Sequence, residues 1–197
     1  MKQLDYTQTA NRVLEAFSQG GAFLTAGKMG DANPMTIGWG AVEIMWNKGI
    51  FLTVVRPQRH TFPLLRRDME FTVSVPTKIP LKKELAYCGT KSGRDGDKWA
   101  ATGLTAAPGQ VVKTPIVAQC GLHFECKVVA CQTFEPMLLQ EEIREKSYPG
   151  NDYHTAFYGE IVACYTTDEE SRATSCKRGL SGPFFHGFFL TSAKTMV

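Results

Sequence analysis

The chain has 197 residues, of which 43% are hydrophobic and 21% charged, and a formal net charge of +3. Such a chain is long enough to bury its own core without metals or disulfides, and its composition is ordinary for a globular protein, with nothing that suggests intrinsic disorder. So small a charge does not by itself require nucleic acid or a membrane as partner, and no apolar run approaches the ~18 residues of a membrane-spanning helix.

Taken in chain order, residues 7–18 set Ala10, Val13, Leu14 and Phe17 at helical spacing, and Gly20-Gly21 ends that helix. The leading MKQLDYTQTANRVLEAF lacks the apolar core of a secretion signal. Residues 21–30 predict a strand, followed by turn formers at Gly30-Asp31 and Asn33-Pro34. Residues 35–46 (MTIGWGAVEIMW) predict one continuous second strand, with glycines where a backbone or a ligand comes close. Met45 and Trp46 at its end are expected in the core or in a dimer contact. The apolar strand at 50–55 stops at Arg56-Pro57. Thr61 is expected to cap a short helix, because Pro63 is tolerated only in a first turn.

The segment 70–75 (EFTVSV) alternates cleanly, with Phe71, Val73 and Val75 on one face. Residues 81–90 predict a helix that runs into a polar loop and a helical turn. Residues 123–135 predict a strand whose face of Phe124, Cys126 and Val128 opposes His123, Glu125 and Lys127, so His123 is expected in solvent. A last strand covers 157–167, and the C-terminal SGPFFHGFFLT is rich in aromatics and turn formers. About six strands and three or four short helices, without regular alternation, favour an antiparallel barrel over a doubly wound parallel sheet. No G-x-G-x-x-G follows a strand, so a dinucleotide fingerprint is lacking.

Six cysteines are present (Cys88, Cys120, Cys126, Cys131, Cys164 and Cys176), with no C-x-x-C pair and no zinc-like spacing. They are read as reduced thiols of a cytoplasmic protein.

Three segments carry chemistry. Asn33–Gly40 leads a turn into a strand where glycines flank Trp39; it suits a flat ligand lying against the backbone, or equally a twisted strand with a core tryptophan. Val55–Thr61 (VRPQRHT) joins a strand end, a proline corner and a helix start, so that backbone N–H and guanidinium donors meet in one place; it is an anion site or an ordinary basic turn. Cys88–Lys98 (CGTKSGRDGDK) packs hydroxyl, backbone and cationic donors around three glycines, in an order that is not a Walker loop.

In this order the segments resemble the flavin reductase-like family of FMN-binding split-barrel proteins, which includes the flavoredoxins. The matching residues are ANPMTIGWGA (32–41), VRPQRHT (55–61), EFTVSVP (70–76), YCGTKSGRDGDK (87–98) and YHTAFYGEIVA (153–163). The resemblance runs over roughly residues 18–190, and it makes the whole chain, 1–197, one such domain with an N-terminal helix as decoration. It implies a six-stranded antiparallel Greek-key barrel, non-covalent FMN, and a homodimer with the flavin near the subunit interface. Position by position, it implies Asn33, Thr36 and Trp39 beside the isoalloxazine, and Arg56, Arg59 and Thr61 at the ribityl chain and phosphate. Thr90, Ser92 and Lys98 would close over the phosphate, and His154 would stand near the exposed flavin face as the catalytic group. An aromatic of the C-terminal segment, Phe184 or Phe185, would cover the ring from the same subunit or its partner. Pro63 and the insert at 139–152 depart from the pattern.

The physics fits that resemblance, since a dianionic tail wants a basic, hydroxyl-rich pocket and a large flat ring wants an aromatic wall. The resemblance implies an oxidoreductase, with NADH or NADPH as donor and free flavin, ferric iron or another small acceptor. The alternatives are a flavoredoxin-type electron carrier with a redox partner protein, and a module that only binds flavin. None of these readings involves nucleic acid or a membrane.

Overall fold

The computed structural model describes residues 1–167. In chain order the elements are β1 (Lys2–Gln3), a single 3-10 turn (Tyr6–Gln8), α1 (Ala10–Ser18), β2 (Ala22–Ala26), β3 (Asn33–Ile37), β4 (Gly40–Met45), β5 (Lys48–Val55) and α2 (Thr61–Asp68). There follow β6 (Glu70–Val75), α3 (Lys82–Thr90), α4 (Lys98–Thr102), β7 (Ala106–Ala107), β8 (Ile116–Val117), β9 (Leu122–Thr133), a second 3-10 turn (Pro136–Leu138), α5 (Glu141–Ser147) and β10 (Thr155–Thr166). The fold is mainly β, with an antiparallel principal sheet in the order β3-β2-β6-β9-β10-β5-β4. Seven strands form this path where about six are expected; β1 adds to β10, and β7 and β8 form a separate two-stranded ladder.

The sheet's two edge strands, β3 and β4, are consecutive in the chain and separated only by Gly38 and Trp39. So short a link holds the edges close together and curls the sheet into a barrel, yet no ladder joins β3 to β4 and the wall stays split there. The expectation of one strand over 35–46 is therefore corrected. Gly40 sits at φ +155°, and a Cβ on it would lie 2.5 Å from the Leu52 carbonyl oxygen. Only glycine allows the chain to turn so sharply against β5.

Strand alternation fills the barrel. Leu24, Phe51, Phe71, Val73, Phe124 and Phe157 are fully buried in one cluster, which Val13 of α1 and Leu65 of α2 close. A smaller cluster outside the barrel wall packs Phe23 under Leu85 and Cys88 of α3. This explains why every residue of β2 is buried: each face of the strand has its own cover.

The same reasoning corrects the reading of His123. The excursion between α4 and β9 lies over the outward face of β6 and β9, and His123 and Glu125 are completely buried beneath it. His123 is bonded through Nδ1 to Ser74 (3.1 Å) and through Nε2 to the Cys120 carbonyl (3.1 Å). The Glu125 carboxylate accepts from the backbone N–H groups of Gln110, Val111 and Val112 and from the Tyr165 hydroxyl, at 2.6–2.9 Å. Polar alternation here marks a face covered by loop backbone rather than by water.

Two further expectations change. Trp46 is 58% exposed at the β4–β5 hairpin tip, where Trp46 and Asn47 both have positive φ, so it does not belong to the core of the subunit. Thr61 is the first helical residue of α2 rather than its cap; His60 holds the cap position without a side-chain bond. The Thr61 hydroxyl instead accepts from Asn33 Nδ2 at 2.8 Å. Among the described residues, no helix is long and apolar enough to cross a membrane.

Candidate functional site

The Arg56–Thr61 corner leaves β5, and the Thr90–Lys98 loop leaves α3, on the same side of the barrel. They meet directly: Arg94 Nη1 donates to the Gln58 carbonyl (2.8 Å) and Arg59 Nη1 to the Gly89 carbonyl (3.2 Å). Gly93 lies so close to the Asn33 side chain and to His60 that a Cβ would overlap both. The 88–98 loop can therefore settle on the corner only with glycine at this position.

Between corner and loop is a cavity of about 380 Å³. Four cationic side chains line it, Arg59, Lys91, Arg94 and Lys98, together with the hydroxyls of Thr61, Thr90 and Ser92 and the Asn33 amide. No carboxylate is among its lining residues. Lys98 is buried, with Nζ donating to the carbonyls of Pro34 (3.0 Å) and Cys88 (2.9 Å). An ammonium has three protons, so one is left for the cavity. Burial lowers the Lys98 pKa, and the Arg59 charge lowers it further. His60 is likewise lowered, first by burial and then by Arg94 and Lys98. In both shifts neighbouring cations add to the larger effect of burial, and a bound anion would offset their part. Cys88 is pushed up to about 11, chiefly by burial, and so stays a thiol.

A second cavity of about 220 Å³ adjoins the first, and Met35 and Arg59 line both. Its wall runs along residues 35–39, and Val54, Arg56 and His154 close it. Trp39 is 52% exposed and stacks at a tilt on His154, with ring centroids 4.9 Å apart. This is an aromatic surface held open. Arg56 is already engaged: it pairs with Asp152, donates to the Ser147 carbonyl (2.8 Å) and lies 5.1 Å above the Tyr148 ring. His154 is pushed down to about 4, first by burial and then by the Arg56 charge, and its ring is neutral near pH 7.

Of the residues named from the sequence, the larger cavity gathers Asn33, Arg59, Thr61, Thr90, Ser92 and Lys98, and the smaller one gathers Thr36, Trp39, Arg56, Arg59 and His154. Arg56 faces only the smaller cavity. The Thr36 hydroxyl donates to the Leu85 carbonyl (2.6 Å), and that of Thr90 to the Ala86 carbonyl (2.8 Å). Phe184 and Phe185 lie outside the described residues. Arg94 and Lys91 belong to the basic loop that the sequence marks as a candidate anion site, though no individual role is read for either. Reasoning from the sequence missed Tyr148 and Asp152, which belong to the 139–152 insert and carry no motif.

The donor set fits FMN. The larger cavity offers cations and hydroxyls without a competing carboxylate, as a phosphate requires, and it opens into an aromatic-walled space beside Trp39.

Comparison with known proteins gives the same reading of the fold. A protein of Archaeoglobus fulgidus is 31% identical over 130 residues, covering 66% of this chain and 63% of that protein, so the match spans less than two thirds of the relative's length. The crystal structure of flavoredoxin from Methanosarcina acetivorans is similar with a TM-score of 0.57 and 26% identity, covering 75% of this chain and 68% of that one. An FMN-binding protein from Thermus thermophilus, solved with bound 1-cyclohex-2-enone, has a TM-score of 0.56 and 21% identity over 73% of this chain and 68% of its own; at that identity it speaks for the fold alone. The model of the flavin reductase like domain matches residues 14–181, and the chain belongs to that family.

Proposed function

We propose that this protein is an FMN-dependent oxidoreductase that holds the flavin non-covalently across the two joined cavities. Arg59, Arg94 and Lys98 would hold the phosphate, with Thr61 and Ser92 as neutral donors. Trp39 and the 35–38 backbone would receive the ring, and His154 would stand at its edge. The observation that carries this reading is the carboxylate-free cavity where corner and loop converge, opening past Met35 and Arg59 onto an exposed tryptophan.

FMN, when bound, supplies the electron-transfer chemistry, so the chain needs no nucleophile of its own. The protonated Cys88 thiol is consistent with that division of labour. The donor on this reading is NADH or NADPH, and the acceptor a free flavin, ferric iron or another small molecule. Likeness to an archaeal flavoredoxin favours a second reading, an electron carrier that exchanges with a redox partner protein. On either reading the chain is a single domain and works as a cytoplasmic homodimer. The exposed Ile44 and Trp46 on edge strand β4 and its hairpin support a subunit contact there.

The test is anaerobic spectroscopy on protein loaded with FMN. Rapid bleaching of the visible flavin band by NADH or NADPH is expected for the reductase. Bleaching only by dithionite or a reduced partner protein would favour the carrier. Protein that takes up no FMN would overturn both.

A further inference from the structure

The insert at 139–152 sends Tyr148 back under the ring of His154. The phenol oxygen lies 2.8 Å from His154 Nδ1, and both side chains are buried. Either atom of such a pair can donate in principle, but the surroundings choose. Among the described residues, the phenol oxygen makes its hydrogen bond with Nδ1. Were Nδ1 to donate, the buried phenol proton would be left without an acceptor, whereas a donating phenol leaves only lone pairs unpartnered, the smaller cost. Burial raises the Tyr148 pKa and keeps the phenol protonated.

We propose that Tyr148 is a positioning residue: its hydroxyl donates to His154 Nδ1, fixes the imidazole as the Nε2–H tautomer, and so makes His154 a neutral hydrogen-bond donor toward the cavity beside Trp39. Tyr148 is itself fixed. Arg56 lies over its ring and clamps the backbone before it through Ser147, while Asp152 neutralises the guanidinium. The titratable and charged groups facing His154 are Arg56 at the end of β5, Arg59 in the corner, Asp152 in the preceding loop and Tyr148 after α5. The two arginines and burial together keep the ring neutral, so a donor at Nε2 exists only if Nδ1 is the accepting nitrogen. A donor at this place would hydrogen-bond an acceptor atom of whatever occupies the cavity. What it meets there rests on the flavin reading above; the tautomer is a property of the chain alone.

The chain has four histidines, so nitrogen-15 spectra of the side chains are readily assigned by substitution. In the parent protein, with and without FMN, His154 is expected to show a pyrrole-like Nε2 and a pyridine-like Nδ1. In Tyr148→Phe the Nδ1 signal should shift toward tautomer averaging while the rest of the spectrum holds. A protonated Nδ1 in the parent overturns the proposal whether or not the variant folds, and so does an unchanged His154 in Tyr148→Phe. A second measurement reads function. Tyr148→Phe should slow reduction of the bound flavin about fivefold, the worth of one neutral hydrogen bond, and should add nothing in a His154→Ala background. Additive losses would show that Tyr148 does not act through His154. Failure of FMN to bind would sink the functional reading and leave the tautomer result standing.

Discussion

The two cavities of this site use their arginines in opposite ways. In the larger one, Arg59 and Arg94 each spend a single N–H on a backbone carbonyl, and their charges add to the burial that lowers Lys98 and His60. In the smaller one, Arg56 is neutralised by Asp152, bonded to Ser147 and covered on one face by Tyr148. The first arrangement leaves N–H donors open to an anion, whereas the second is already satisfied and serves to hold other groups still. An arginine in a motif is thus a ligand only where the fold withholds its carboxylate.

The largest effects should come from the charges left open. Arg59→Ala removes a charged donor that reaches both cavities and should weaken FMN binding by about 1.5–3 kcal/mol, the range for a charged hydrogen bond. The loss should shrink as salt is raised, because salt screens the ion. Lys98→Met should cost as much in affinity and also destabilise the fold, since it orphans the carbonyls of Pro34 and Cys88. Isothermal titration with FMN and chemical denaturation separate the two contributions. Arg56→Ala should leave the phosphate-dependent part of the affinity intact; should it match Arg59→Ala, the contrast between the cavities is wrong.

Acid should act mainly through the smaller cavity. The folded-state pKa of His154, about 4, lies below its unfolded value of 6.5, so the unfolded chain takes up a proton first as pH falls. Stability should therefore be complete above about pH 6.5 and decline toward pH 4, by on the order of 2 kcal/mol. Asp152 is held low chiefly by its hydrogen bond from Arg56, so its contribution is present above its ordinary range and lost only at still lower pH. Denaturation midpoints across pH 4–7 test this. His154→Ala should flatten that slope, and an unaltered slope would move the acid sensitivity elsewhere.

How much of this was legible in the sequence follows from how local each signal is. The corner at 55–61 and the loop at 88–98 announce themselves because proline, glycine and cations cluster within a few residues, and the fold brings them together. The barrel class is visible in the short alternating strands. What the alternation cannot say is what covers the outward face. His123 reads as solvated because strand period gives only sidedness, and the backbone that buries it comes from residues 105–121, a long-range contact without a motif. The break at Gly38-Trp39 is equally hidden, since the atom that bars a side chain at Gly40 is the Leu52 carbonyl oxygen on another strand. Tyr148 and Asp152 were invisible for the same reason: Arg56, which packs on one and pairs with the other, comes from the end of β5, far earlier in the chain.

The smallest expected effect discriminates best between two hydroxyls that look alike in the loop. Thr90 donates its proton into its own helix at the Ala86 carbonyl, while the Ser92 oxygen accepts from the Arg94 backbone N–H at 3.2 Å and keeps its proton to give. Ser92→Ala should therefore weaken FMN binding by about 1 kcal/mol, the net worth of a neutral hydrogen bond. Thr90→Val, which keeps the shape, should change affinity by less than about 0.5 kcal/mol. Both are read in one fluorescence titration. Equal losses would mean that Thr90 gives up its bond within the helix when the tail arrives, and that the hydroxyls of the larger cavity are not set in advance as its carbonyl-tethered cations are.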